Sequence, residues 1–91
     1  MKLKARDSKQ LGHAIRQLRR KKGLTQKQLA KLAGIRQPTV SDVENGKRSF
    51  TDVLLRLLNS LGVELLFKFL DENEKVFDPK EFYNGPKENG A

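Results

Sequence analysis

Side chains able to do covalent chemistry are scarce in this 91-residue chain. It holds no cysteine and one histidine, His13, which has no second histidine near it. That removes thiol catalysis, thiolate metal sites and disulfides. Asp42 and Glu44 stand two apart, so on a helix they face different ways and form no convergent acid–base pair. Neither a glycine-rich phosphate loop nor a metal-ligand spacing is present, so no metal, no cofactor and no enzymatic activity is expected. His13 reads as solvent-facing. What remains is charge.

Lys and Arg number 19 against 11 Asp and Glu, a formal +8. The distribution says more than the total. Residues 1–22 carry nine bases and one acid, and residues 23–48 five bases and two acids. Residues 49–70 balance, and residues 71–91 carry a net −3. A front half at +11 suits a polyanion, while a weakly acidic rear suits a different partner. Hydrophobic residues make up 36%, which implies a small core. No apolar run approaches the roughly 18 residues of a membrane span, and Met1 leads into polar sequence rather than a signal peptide. The expectation is a soluble, cytoplasmic protein with no membrane partner.

Four helices are expected to carry that charge. Asp7 with Gln10 forms a capping-box pattern, and Leu11, Ala14, Ile15 and Leu18 make one apolar stripe up to Gly23. Thr25 with Gln28 opens a second, two-turn helix packing through Leu29, Ala30, Leu32 and Ala33, with Leu24 stapled back before the cap and Gly34 ending it. Gln37 and Pro38 open a third, with Val40 and Val43 inward and Asn45-Gly46 closing it. The fourth starts near Ser49 or Thr51. Its Val53, Leu54, Leu55, Leu57, Leu58 and Leu61 are apolar nearly all round, so it should be the most buried helix.

After Gly62 the period changes to two. Val63, Leu65, Phe67 and Phe69 alternate with Glu64, Leu66 and Lys68, the pattern of a half-buried strand; the alternative is a helix that continues. Nothing else reads as a strand, so its backbone needs a partner from a second copy. Residues 71–91, with their acids, prolines and Asn-Gly-type turns, read as a mobile acidic tail, in which Phe77, Phe82 and Tyr83 are either anchors for a partner or packed on the body.

Two short helices joined by a glycine-containing turn form a helix-turn-helix, whose second helix enters a major groove while the first braces it. With Val40 and Val43 inward, Gln37, Pro38, Ser41 and Asp42 turn outward with Asn45 below them. That outer face has no large apolar residue and suits base edges better than a protein groove. Glu44 falls nearer the inner face. Periodicity leaves it either paired there, with Arg19 as the candidate partner, or exposed to solvent.

The stretch GLTQKQLAKLAGIRQPTVSDVENGKRS resembles the Xre/Cro-type helix-turn-helix family, which includes the lambdoid phage repressors, from about Leu11 to Leu61. The resemblance implies a mainly α fold, a four-helix lambda-repressor-like domain. It implies that Arg36, Gln37 and Ser41 read bases, glutamine being able to bond bidentately to adenine. It places Arg19, Gln26, Thr39, Asn45 and Lys47 on DNA phosphates and makes Arg19–Glu44 a structural ion pair. Two positions depart from the pattern. Arg36 stands where a Ser or Thr cap is usual, and Pro38 replaces an often polar residue and reads poorly.

The ending LGVELLFKF followed by a short tail is similar to the HipB-type antitoxins rather than to repressors with a fifth helix. That likeness implies a DNA-binding domain over 1–62, a dimerising strand over 63–70 built on Val63, Leu65, Phe67 and Phe69, and a tail over 71–91. It further implies a homodimer on palindromic operator double-stranded DNA in a bacterial cytoplasm, associated with the nucleoid when DNA-bound. Its other partner would be a HipA-type serine/threonine kinase toxin. The alternatives are a stand-alone phage-type repressor, a restriction-system controller protein, or a protein-interaction module that has lost DNA binding. The +11 of residues 1–48 argues against the last.

Overall fold

The computed structural model describes residues 2–70 and the strand Val76–Phe77. Helix α1 spans Ser8–Lys21, α2 Gln26–Ala33, α3 Gln37–Glu44 and α4 Thr51–Ser60; strands β1 (Phe67–Lys68) and β2 (Val76–Phe77) follow. The fold is mainly helical. Helix α3 packs on both α1 and α2, and α4 packs on α2.

The helix starts follow from local hydrogen bonds. The Asp7 carboxylate accepts the Gln10 N–H at 2.7 Å, and Gln10 Oε1 accepts the Arg6 N–H at 2.7 Å, one residue outside the cap. At α2 the capping box closes fully: Thr25 Oγ accepts the Gln28 N–H, and Gln28 Oε1 accepts the Thr25 N–H. Gly34 then takes a left-handed φ of 70°, which lets the chain turn into α3. The Arg36 side chain makes no cap bond at α3, where Pro38 sits in the first turn.

The core gathers Ile15, Leu29, Ala30, Ala33, Val40, Val43, Leu57, Leu58 and Leu61, with Leu24 and Val63 among the half-buried side chains packed against it. Three expectations need correction. Leu32 is exposed rather than packed, because a two-turn helix has room for few inward positions. Helix α4 is not the most buried: it buries Leu57 and Leu58, whereas α1 buries Gly12, Ala14, Ile15 and Arg19. Leu55 stays on its uncovered side.

The third correction concerns the C-terminal strand. It is two residues long, and its partner lies in the same chain: Phe67 pairs with Phe77 and Lys68 with Val76, antiparallel. Val63 instead belongs to the helical body, its N–H donating to Leu58 O at 3.0 Å. Leu65, Leu66 and Phe67 are all more than half exposed, so the alternating pattern creates no buried face within one subunit. The other residues of 71–91, expected to be mobile, lie outside the described residues.

Candidate nucleic-acid interface

One buried carboxylate organises the site. Glu44 has no exposed side-chain surface. Its Oε2 accepts from Arg19 Nε at 2.6 Å, and its Oε1 accepts from Arg19 Nη2 at 3.0 Å, a two-pronged pair between α3 and α1. Arg19 Nη1 donates to Leu24 O at 2.8 Å, tying the α1–α2 turn to the same cluster. Burial pushes the Glu44 carboxyl up. Hydrogen bonds from Arg19, Gln26 and Arg16, with the charge of Arg19, outweigh it and hold the group below the ordinary glutamate range.

Of the two roles expected of Arg19, the geometry favours the ion pair. Arg19 is itself buried, with three of its N–H groups directed into the protein, so it is placed to hold Glu44 rather than a DNA phosphate. Arg16, for which no role was expected, lies nearer the surface of the same cluster. Arg16, half-exposed, donates through Nε to Glu44 Oε1 at 3.2 Å and through Nη2 to Asn45 Oδ1 at 3.1 Å. The signal was available: Arg16 and Arg19 are three apart and share a helix face.

The remaining candidates form a row across α2 and α3. Gln26, the first residue of α2, is half-buried and donates through Nε2 to Glu44 Oε1 at 3.0 Å. Gln37, the first residue of α3, is exposed and donates through Nε2 to Gln26 Oε1 at 3.2 Å. Arg36 is exposed beside it, with its guanidinium uncommitted to capping. Ser41 is half-buried, so it presents less surface than the helical wheel implied, and Thr39 is half-buried too. Asn45 is exposed at the end of α3, and Lys47 reaches Asp42 at 3.4 Å while remaining 67% exposed. An ion pair that open adds little and leaves the lysine available.

Electrostatics set the sign of what this face can hold. Of the fourteen bases in residues 1–48, twelve are exposed; of the three acids, Glu44 is buried against Arg19. The outward field is therefore strongly positive, and the polar amides of Gln37 and Asn45 lie within it. Among the described residues no helix is long and apolar enough to cross a membrane.

Two short helices joined by a turn at Gly34, with the second carrying amides and cations on a positive face, define a helix-turn-helix DNA-binding regulator. The chain belongs to the helix-turn-helix family, whose model matches residues 15–68. Among solved structures it is similar to HipB in an O2 20mer complex, with a TM-score of 0.71 and 29% identity over 78% of this chain and 100% of that one. It is similar to a chain of a HipA-HipB-O2-O3 complex, with a TM-score of 0.69 and 30% identity over 75% of this chain and 97% of that one. It is also similar to the restriction-modification controller protein C.AhdI from Aeromonas hydrophila, with a TM-score of 0.59 and 39% identity over 64% and 86%. No protein of curated function matches the sequence.

Proposed function

We propose that the chain is a homodimeric operator-binding repressor and the antitoxin of a HipA-type serine/threonine kinase toxin, repressing its own operon. One observation carries this reading. The likeness to HipB spans 78% of the chain, more than the 53 of 91 residues between the start of α1 and the end of α4. The resemblance thus includes chain outside the helical unit. A solved structure in which HipB accompanies HipA supports the choice of toxin partner.

In this reading Gln37, Arg36 and Ser41 meet base edges, and Gln26, Thr39, Asn45 and Lys47 hold the backbone. Domain limits follow: a DNA-binding unit to residue 62, a dimerising segment over 63–70, and a partner-facing tail beyond. The exposed Leu65, Leu66, Phe67 and Leu70 are the apolar surface a second copy would cover. Two recognition helices would then lie about one helical turn, roughly 34 Å, apart on a palindrome.

The 39% identity to C.AhdI favours a second reading, a controller protein with no toxin. Co-purification with the product of the neighbouring gene, with and without operator DNA, separates the two. Retention of a kinase-like protein in either condition is expected. Operator binding with no retained partner would establish the stand-alone regulator instead.

A further inference from the structure

Helix α1 has a second face that the core does not use. Gln10, His13, Ala14 and Gln17 are spaced three, four and three apart, so they line one side of the helix. Ala14 is buried there, although it lies outside the core of the four helices. Its short side chain leaves a hollow between longer neighbours, and the chain ahead of the helix borders that hollow through Leu3 and Lys4. The result is a groove of about 350 Å³, with Lys9 at its edge.

The lining has one sign. Among the described residues, none that lines the groove is acidic, and the sequence holds no Asp or Glu from residue 8 to residue 41. The neighbouring carboxylate of Asp7 is engaged at the helix cap by the Gln10 N–H. Gln10 Oε1 accepts the Arg6 N–H at 2.7 Å, so that side chain has only its Nε2 hydrogens left to offer. Lys4 and Lys9 are exposed and can only donate, and one ring nitrogen of His13 donates in either tautomer. Leu3 and Ala14 supply an apolar wall. Two ammonium groups with neutral donors between them suit the three oxygens of a dianionic phosphate, and the wall suits a short apolar group attached to it.

We infer that this groove is a binding site for a small phosphate monoester, its phosphate held by Lys4, Lys9 and His13 and its apolar part laid on Leu3 and Ala14. The site bears on DNA. Gly46 has a left-handed φ of 81°, and a Cβ on it would lie 2.8 Å from Lys9 Cα, so the first turn of α1 rests on the loop after α3. Asn45 and Lys47 flank that glycine. A dianion held at Lys9 adds negative charge beside the proposed path of the DNA backbone, so ligand and operator should weaken one another reciprocally. That coupling rests on the proposed contacts of Asn45 and Lys47; the anion site does not.

Phenyl phosphate is the probe, titrated into the full chain at constant ionic strength with the His13 imidazole resonances as the readout. These should move saturably. Inorganic phosphate, which lacks the ring, should bind about fivefold or more weakly. Lys4→Gln with Lys9→Gln should abolish saturation, and Leu3→Ser should bring phenyl phosphate level with inorganic phosphate. Saturating probe should lower operator affinity several-fold in the wild type and leave the double lysine variant unaffected. Resonances that do not saturate, or that saturate alike in the wild type and both variants, would overturn the site. If His13 is unmoved and the double variant binds operator more weakly without probe, Lys4 and Lys9 serve the DNA backbone and the ligand site is overturned. Saturation with no change in operator affinity would leave the anion site standing and remove its coupling to Asn45 and Lys47.

Discussion

Gly12 of α1 lies directly against the carbonyl oxygen of Val43 in α3, with no room for a β-carbon between them. A Cβ on Gly12 would collide with that oxygen and lie 2.8 Å from the carbonyl oxygen of Glu44. Both are backbone atoms and cannot rotate away. Gly12→Ala therefore forces α1 and α3 apart, an overpacking cost of about 1–3 kcal/mol. Better helix propensity offsets about 1 kcal/mol of it. A net fall in the denaturant midpoint is expected, and DNA affinity should fall with it because Arg16 and Arg19 move away from Glu44. A stabilised Gly12→Ala variant would refute this close crossing.

Removing one side of the ion pair that this crossing permits should be severe. Arg19→Met leaves Glu44 buried without its two-pronged partner, a loss of about 3–5 kcal/mol. The double replacement Arg19→Met with Glu44→Leu removes the charge as well and should recover part of that loss. DNA affinity should not recover in full, since the double variant has no carboxylate to accept from Gln26 and Arg16. Chemical denaturation of the two variants measures the first effect, and competitive binding the second.

Acid should expose the same group. The Glu44 carboxyl is held below its ordinary range in the fold, so the unfolded chain binds this proton more readily. Its contribution is fully present above the unfolded value of about 4.3 and is lost as pH falls through the folded value. Melting temperatures of the wild type and Glu44→Gln, compared from pH 7 downward, should differ most near neutrality. Their gap should narrow below about pH 4. A constant gap would mean that Glu44 does not titrate differently in the two states.

What the sequence showed of this site was what short-range chemistry fixes. Asp7 and Thr25 each find a backbone N–H donor three residues on, so the starts of α1 and α2 were legible as spacing. Val40 and Val43 set the inward face of α3, which placed Gln37 outside and Glu44 nearer the inside, with its pairing to Arg19 left open against exposure to solvent. Arg16 was legible only as a neighbour of Arg19 on one helix face; its bonds to Glu44 and Asn45, and that of Gln26 to Glu44, were not, because they depend on how closely α1 and α3 approach at Gly12. Leu32 misled because a helix of eight residues samples its wheel too sparsely to separate inside from flank. Val76–Phe77 was missed because a strand of two residues has no period to read.

The exposed apolar segment after α4 should decide the oligomeric state. Leu65 and Phe67 are 53% and 61% exposed in one subunit. Leu65→Asp with Phe67→Asp puts two charges where a second copy would pack, so dimer formation should be lost while the helical unit stays folded. Sedimentation measures the first and far-UV circular dichroism the second. With one half-site per particle, affinity for a palindromic duplex should drop far more than affinity for a single half-site. A double variant that still sediments as a dimer would place the subunit contact elsewhere.

Salt dependence should sort the backbone contacts from the buried pair. Lys47 is largely exposed, and its contact with Asp42 is too open to hold it away from DNA. A lysine on a phosphate displaces a condensed counterion, so its loss should make the plot of log affinity against log salt shallower by about 1. Lys47→Ala should do this equally on operator and random duplexes, leaving base preference unchanged. Arg16→Met should weaken binding through a different route, by releasing Asn45, whose neutral amide adds no counterion release of its own. An unaltered slope in Lys47→Ala would remove this lysine from the proposed phosphate contacts and leave Gln26 and Asn45 as the candidates for fixing the register of α3.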